Sequence, residues 1–242
     1  MTNPDSKTQT LKLISIVLPV FNEASQIAQT LQALTEMARG EAVQVIVADG
    51  GSADRTLELV RSFESVEVVA CQRANRGWQM NQGAAKAGGE ALLFLHADAK
   101  LPATGLASIY LALENENVVG GCFQLQFPAD APASLRVVAW GINLRTRWFK
   151  TATGDQAIFV RREIFDAIGG YQTFPLMEDI ALFNEMKRLG KVVVLDGKVE
   201  ISPRRWLKFG VWRTVMLMYL LRFGYWLGVD PAMLKRFFID VR

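Results

Sequence analysis

Short apolar runs of strand length alternate with segments of helical period through the first hundred residues. No other feature of the chain constrains its fold as strongly. Ile14-Ser15-Ile16-Val17-Leu18 closes at Pro19, Val43 to Ala48 closes at Asp49-Gly50-Gly51, and Val66 to Ala70 and Ala91 to Leu95 complete the set. After Asn22, a candidate N-cap, Ile27, Leu31, Leu34 and Ala38 recur at helical spacing until Gly40. Further helices are expected from about Asp54 to Phe63 and from Gly77 to Ala87, the latter stopped by Gly88-Gly89. Strands that are apolar throughout have both faces covered, and strands separated by helices of this length form βαβ units around a parallel sheet.

The second half is less regular. Val118 to Phe127, Ala157 to Val160 and Val192 to Leu195 read as strands. Leu135 to Phe149, Arg162 to Ile168 and Glu178 to Leu189 read as helices, and the chain is helical and aromatic-rich from Trp206 onward. No linker divides it. Its 27 basic and 24 acidic residues leave a formal charge of +3, too balanced for a dedicated nucleic-acid binder. Cys71 and Cys122 are too few for a disulfide scaffold and lack zinc-site spacing, and the single histidine, His96, excludes a His-rich metal cage. The first ten residues lack the apolar core of a secretory signal. The longest apolar stretch, Val211 to Val229, is interrupted by Arg213 and Arg222, whereas a spanning helix needs about 20 mostly apolar residues. A cytoplasmic location is the expectation.

In open α/β sheets ligands bind outside the carboxyl ends of the strands. The polar residues there are Asn22-Glu23, Asp49-Gly50-Gly51-Ser52, Arg73 and His96-Ala97-Asp98. Three acidic groups and an arginine on one edge suit a nucleotide diphosphate with a divalent metal, because carboxylates hold the hard cations that bridge phosphate oxygens. The dinucleotide fingerprint and the Walker loop are both missing after the first strand.

Ile16-Val17-Leu18-Pro19-Val20-Phe21-Asn22-Glu23, Val47-Ala48-Asp49-Gly50-Gly51-Ser52-Ala53-Asp54-Arg55-Thr56 and Leu95-His96-Ala97-Asp98, in that order, resemble a family 2 glycosyltransferase of GT-A fold. The resemblance runs from about Leu13 to Arg205. It implies an α/β fold with a mostly parallel nucleotide-binding sheet and flanking helices; beyond it, the residues from Trp206 onward read as C-terminal amphipathic helices. It also implies inverting transfer of a sugar from a nucleotide-diphospho-sugar, a UDP-sugar before others, to an acceptor hydroxyl. The segment Arg76 to Ala85, with HAD in place of DxD, is similar to a bacterial subgroup associated with radical-SAM enzymes and arsenosugar formation. The organisation expected is a disordered tail over 1–10, a glycosyltransferase domain over 11–205 with its nucleotide half ending near 99, and aromatic, basic helices over 206–242.

Position by position, the resemblance assigns Asp49 to the nucleotide base, a carboxylate being an acceptor for the N–H of a pyrimidine edge. Pro19, Glu23, Arg73, Arg76, His96 and Ala97 join the nucleotide site. Asp98 matches the carboxylate that ligates Mn²⁺ or Mg²⁺ on the diphosphate. His96 replaces the first aspartate, which removes one negative charge and favours Mn²⁺ somewhat. Asp179 in Glu178-Asp179 matches the general base that takes the acceptor proton, with Glu178 beside it. Gly154, Asp155 and Gln156 resemble an acceptor-side loop. Arg204, Arg205 and Trp206 match part of a QxxRW motif, the arginines for the diphosphate and the tryptophan for the acceptor, with Ser202 replacing the glutamine.

Each of these residues also has a plainer explanation. Asp-Gly is a turn sequence, and acids at a helix N-terminus complement the macrodipole. Trp140, Trp148, Phe149, Arg145, Arg147 and Lys150 form one aromatic and basic cluster, and Trp206, Lys208, Phe209, Trp212, Arg213, Tyr219, Arg222, Phe223, Tyr225 and Trp226 another. Such clusters fit contact with the inner face of the cytoplasmic membrane, core packing, or a homodimer interface. Two rivals stand beside the transferase: a sugar-1-phosphate nucleotidyltransferase, which would want a basic glycine-rich loop after the first strand, and a catalytically inactive, membrane-associated binding subunit.

Overall fold

The computed structural model describes residues 13–238, so the tail expected over 1–10 lies outside the described residues. The first half runs β1 (Ile14–Val20), α1 (Ile27–Met37), β2 (Val43–Asp49), α2 (Thr56–Arg61), β3 (Val66–Ala70), α3 (Arg76–Lys86) and β4 (Ala91–Phe94). The second half continues with β5 (Ala99–Lys100), α4 (Gly105–Leu113), β6 (Val118–Gln126), α5 (Ala133–Phe149), a 3₁₀ turn at Gly154–Gln156, β7 (Phe159–Arg161), α6 (Arg162–Ile168) and α7 (Glu178–Leu189). It ends with β8 (Lys191–Ile201), α8 (Arg204–Phe209), α9 (Val211–Trp226) and α10 (Pro231–Lys235).

All eight strands join one sheet of order β3-β2-β1-β4-β7-β6-β8-β5. From β3 to β4 the pairing is parallel, as the βαβ pattern dictates. Strand β7 runs antiparallel to both β4 and β6, while β8 returns parallel to β6 and takes β5 antiparallel at the far edge. The sheet is therefore mixed, and it crosses the boundary near residue 99 without a break.

Side chains alternate across a strand, and both faces of β1 are buried for that reason. Ile14, Ile16, Leu18 and Val20 pack on one face with Ile27, Leu31 and Leu34 of α1. Val17 packs on the other with Met80 and Ala84 of α3 and with Leu182, Phe183 and Met186 of α7. Gly83 lets α3 approach that closely, since a Cβ there would lie 2.4 Å from Val17 Cγ1.

Three local expectations are corrected. Asn22 does not cap α1, which starts five residues later with no side-chain cap. Asn22 is in the left-handed region at φ 55°, which asparagine tolerates better than most residues. Its side-chain oxygen accepts the Ala53 N–H at 2.9 Å, tying the turn after β1 to the turn after β2. Strand β8 runs on past Leu195 because Asp196-Gly197 forms an irregularity in its pairing with β6, where Phe123 faces Leu195 but Gln124 faces Lys198. Helix α9 is not amphipathic in the ordinary sense. Leu221 is buried, yet Trp212, Met216, Tyr219, Leu220, Phe223 and Trp226 are all exposed, so apolar groups occupy both faces.

The C-terminal helices are not an appendage. Leu221 and Leu234 pack with Leu176, Met177 and Ile180, closing over the N-terminus of α7. Each such side chain contributes roughly 1.5–3 kcal/mol on full burial, enough to hold α9 against the domain although its outer face is bare. Among the described residues no helix is long and apolar enough to cross a membrane.

Candidate active site

The carboxyl end of β1, the segment after β4, the loop before β7 and the N-terminus of α7 line one cavity of about 320 Å³, closed on the remaining side by α5, α8 and α9. Gln79 of α3 fixes the floor. Its buried side-chain amide donates to Val20 O at 2.7 Å and to Ala48 O at 2.8 Å, joining the ends of β1 and β2. The sequence reading missed this residue, because a glutamine inside a helix carries no signal of its own.

Pro19, Glu23, Arg76, His96, Ala97, Asp98, Asp155, Glu178, Asp179, Arg204, Arg205 and Trp206 all line the cavity. Residues from both ends of the chain meet there. Arg204 lies 3.7 Å from the Glu23 carboxylate and donates to Ser25 Oγ at 3.2 Å. The guanidinium of Arg205 sits 4.3 Å from the Phe238 ring centre. Trp206 is nearly buried, edge-on to Phe127.

Four other residues named from the sequence do not line the cavity. Asp49 is buried, and its oxygens accept the Gly51 and Ser52 N–H groups and the Ser52 hydroxyl. A carboxylate has about four lone-pair sites, so this one is largely spent on its own turn. Arg73 is exposed and stacks over Trp78, 4.9 Å from the ring centre. Gln156 is fully buried and donates to Phe123 O at 3.0 Å, while its oxygen accepts from Thr146 Oγ1. It completes a capping box with Thr153, so it holds the loop and cannot reach an acceptor. Gly154 acts through its backbone, as described next.

The 3₁₀ turn links the two carboxylate centres, a connection that sequence spacing did not reveal. Asp155 Oδ1 is 3.0 Å from His96 Nδ1, and Gly154 N–H donates to Asp179 Oδ2 at 2.7 Å. A Cβ on Gly154 would lie 2.6 Å from His96 Nε2, so glycine is what admits the imidazole. Burial works to raise the Asp155 carboxyl, but the His96 hydrogen bond and charge, with Arg76 and Arg205 nearby, outweigh it and hold it down at about 2.

Met177, in the left-handed region at φ 69°, delivers Glu178 and Asp179 to the cavity. Backbone strain of this kind in a non-glycine residue persists where the surroundings fix it, and here Met177 is buried among the α9 and α10 leucines. Asp179 Oδ1 takes the Ile180 N–H at 2.7 Å, so with Gly154 both its oxygens are fixed. Burial first, and the Asp179 charge second, push the Glu178 carboxyl up to about 7 against the pull of Arg76 and His96.

No group of three or more His, Cys, Asp or Glu side chains among the described residues forms a ready cation cage. What the cavity offers is Asp98, half-buried, lining the wall and holding no hydrogen bond or ion pair with a described residue, beside His96 with Nε2 left over. That donor set fits a cation drawing its other ligands from phosphate oxygens and water, the habit of Mg²⁺ at nucleotide sites.

The mixed sheet with its flanking helices is shared with solved glycosyltransferases. Residues 1–349 of S. aureus TarS in complex with UDP-GlcNAc superpose with a TM-score of 0.62 at 15% identity, over 78% of this chain and 58% of that fragment. The mannosyltransferase PcManGT of Pyrobaculum calidifontis, solved with GDP-Man and Mn²⁺, gives 0.60 at 17% identity over 79% and 57%. Glucosyl-3-phosphoglycerate synthase of Mycobacterium tuberculosis, solved with Mn²⁺ and UDP, gives 0.59 at 17% over 81% and 72%. The fold is thus the GT-A fold.

The family model for glycosyl transferase family 2 matches residues 15–174, and the chain belongs to that family. It is 26% identical over 202 residues to the probable glycosyltransferase YdaM of Bacillus subtilis, covering 74% of this chain and 48% of that protein. It is 29% identical over 170 residues to the PGL/p-HBAD biosynthesis glycosyltransferase of Mycobacterium bovis, covering 66% and 63%. This chain spans about half to two thirds of these relatives' lengths.

Proposed function

We propose that this protein transfers a glycosyl group from a nucleotide-diphospho-sugar to an acceptor hydroxyl with inversion at the anomeric carbon. The observation that carries the reading is the joining of an unpartnered carboxylate, Asp98, and a fixed carboxylate, Asp179, to one cavity by the His96–Asp155 and Gly154–Asp179 contacts. Asp179 accepts the acceptor proton as the new oxygen–carbon bond forms. The bond from the anomeric carbon to the phosphate oxygen breaks, and the nucleoside diphosphate leaves with its electron pair. Pinning Asp179 by two backbone N–H groups gives it one orientation for that proton, and a positioned base is worth about 10²–10⁴ in rate.

Arg76, Arg204 and Arg205 face the diphosphate, for which planar, permanently charged guanidinium groups are suited. Asp98, with His96 Nε2, would hold a divalent cation, Mn²⁺ or Mg²⁺; bound there, it neutralises charge on the leaving diphosphate as a Lewis acid. Asp49 serves the base indirectly, by locking the Gly50–Ser52 turn. Uridine diphosphate is the favoured nucleotide, since TarS and the Mycobacterium synthase were solved with UDP or a UDP-sugar. The finer placement in the radical-SAM and arsenosugar subgroup rests on Arg76 to Ala85 and His96, and belongs to this proposal. The exposed aromatic face of α9, with Lys208 and Arg213 beside it, is a surface for the membrane interface; a second copy of the chain is the competing occupant.

Calorimetric titration with UDP, GDP and CDP, with and without Mn²⁺, tests the donor site. Metal-dependent binding of one nucleotide that disappears in Asp98→Ala is expected. An Asp98→Ala protein with undiminished metal-dependent binding would remove Asp98 from its role. Pyrophosphate release from a nucleoside triphosphate would favour the nucleotidyltransferase instead.

A further inference from the structure

We propose that Arg145 and Arg222 form a second anion site in the cavity, which holds a phosphate group carried by the acceptor; this rests on the transferase reading of the same cavity. Both side chains line the cavity, Arg145 from α5 and Arg222 from α9. Sequence reasoning put them in the two aromatic, basic clusters and went no further, because a cluster of charges and rings does not reveal which way each guanidinium points.

Their hydrogen-bonding ledger does not close. Arg145 Nε and Nη2 and Arg222 Nη1 are buried without a hydrogen-bond partner. Only Arg222 Nη2 is occupied in the described contacts, donating to Thr151 Oγ1 at 3.0 Å. Neither arginine makes an ion pair with an acid among the described residues. Burial and the neighbouring Arg222 charge together lower Arg145 to about 10. Asp179 is the acid whose field reaches both arginines, yet its oxygens are held by Gly154 and Ile180.

Two neighbouring, half-buried cations with buried, unpartnered N–H groups are costly as they stand. A phosphate monoester supplies what both lack: close to two negative charges and three acceptor oxygens. The donor diphosphate is already served by Arg76, Arg204 and Arg205, which lie toward Asp155 and Glu23. Arg145 and Arg222 lie instead within the field of Asp179, where an acceptor hydroxyl must sit to lose its proton. Val138, Ile142, Trp212 and Met218 line the same cavity, which suits a phosphate on a lipid headgroup as well as one on a free metabolite. The chemistry that recognises it is the same.

The test is thermal melting of the full chain in sodium phosphate against sodium chloride at equal ionic strength. It compares wild type, Arg145→Met with Arg222→Met, and Arg204→Gln with Arg205→Gln. Phosphate is expected to raise the wild-type melting temperature, and to bind at least tenfold more weakly to the Arg145 and Arg222 variant. Without phosphate that variant should melt no lower than wild type, since it has lost two uncompensated charges. Should the double variant not fold, Arg145→Lys, which keeps the charge but not the planar donors, is expected to weaken phosphate severalfold. No phosphate effect on wild type, or a loss confined to the Arg204 and Arg205 variant, overturns the proposal. If wild type responds to phosphate through Arg145 and Arg222 but binds no UDP, the transferase reading fails and the anion site stands. Glycerol 3-phosphate and dihexanoyl phosphatidate then separate the sources: a stronger response to the phosphatidate assigns a lipid headgroup, and the reverse a soluble phosphate.

Discussion

Replacing Glu178 by glutamine removes a charge that the fold opposes while keeping the shape of the side chain. Glu178 is 6% exposed, and burial and then Asp179 move its carboxyl from an ordinary 4.5 to about 7. A carboxyl with a higher pKa folded than unfolded binds more protons in the native state between those values. Stability therefore falls as pH climbs from about 4.5 to about 7, and the whole loss is present above that window. At 1.36 kcal/mol per pH unit the rise amounts to roughly 3 kcal/mol. Glu178→Gln is expected to match wild type near pH 4.5 and to exceed it by up to about 3 kcal/mol at pH 8. Urea unfolding across that range reads the difference as a midpoint raised by about 1–2 M at alkaline pH for an m-value of 2–3 kcal/mol/M. Parallel pH profiles for the two proteins would refute the reasoning, because they would mean that Glu178 ionises as freely folded as unfolded.

Asp179→Asn is expected to leave nucleotide binding unchanged and to lower kcat about 10²–10⁴-fold; calorimetry and a donor-consumption assay check both halves. Gly154→Ala places a methyl 2.6 Å from His96 Nε2, so the imidazole must move, and metal-dependent nucleotide binding should weaken although no ligand-bearing side chain has changed. Trp212→Ala with Trp226→Ala should abolish flotation with anionic liposomes, while wild type floats in low salt and is released by high salt. A wild-type protein that stays with the aqueous fraction, and runs as a dimer by light scattering, would assign the α9 face to a second copy.

Strands β1, β2 and β4 were legible because central parallel strands are apolar on both faces, edge strand β3 because it is short and rich in valine, and the residues after β1 and β4 because ligands gather at those strand ends. Legibility ended where tertiary contact overrides local signal. Asn22 has the composition of a cap, but its partner is Ala53, thirty-one residues away. Asp196-Gly197 has the look of a terminating turn, yet the ladder to β6 resumes beyond it. The two-residue β5 was too short to read, and helix α4, Gly105–Leu113, is apolar almost throughout, so it has no polar face to mark a helical period. In the site, the carboxylates could be named from sequence because their motifs are local. The His96–Asp155 and Gly154–Asp179 contacts could not, since they join segments 59 and 25 residues apart. Nor could the inward turn of Arg145 and Arg222, which depends on how α5 and α9 face each other.

The placing of β5 has a consequence for how the protein comes into being. Asp98 stands at the start of β5, and β5 has one partner in the sheet, the end of β8, where Ala99 faces Ile201 and Lys100 faces Glu200. A chain still emerging from the ribosome can pair β1 with β2 and β4, and β2 with β3, early, since those contacts are near in sequence and close quickly. The segment that bears Asp98 has an early tie to α1, where Thr30 Oγ1 donates to Ala97 O at 2.6 Å, but its partner in the sheet is missing until residue 201 is free. The Asp98 side of the cavity thus gains its strand partner only once β8 is made, so a chain cut short before β8 would carry Glu23, Asp49 and Asp98 and still lack the Ile201 and Ser202 wall beside them.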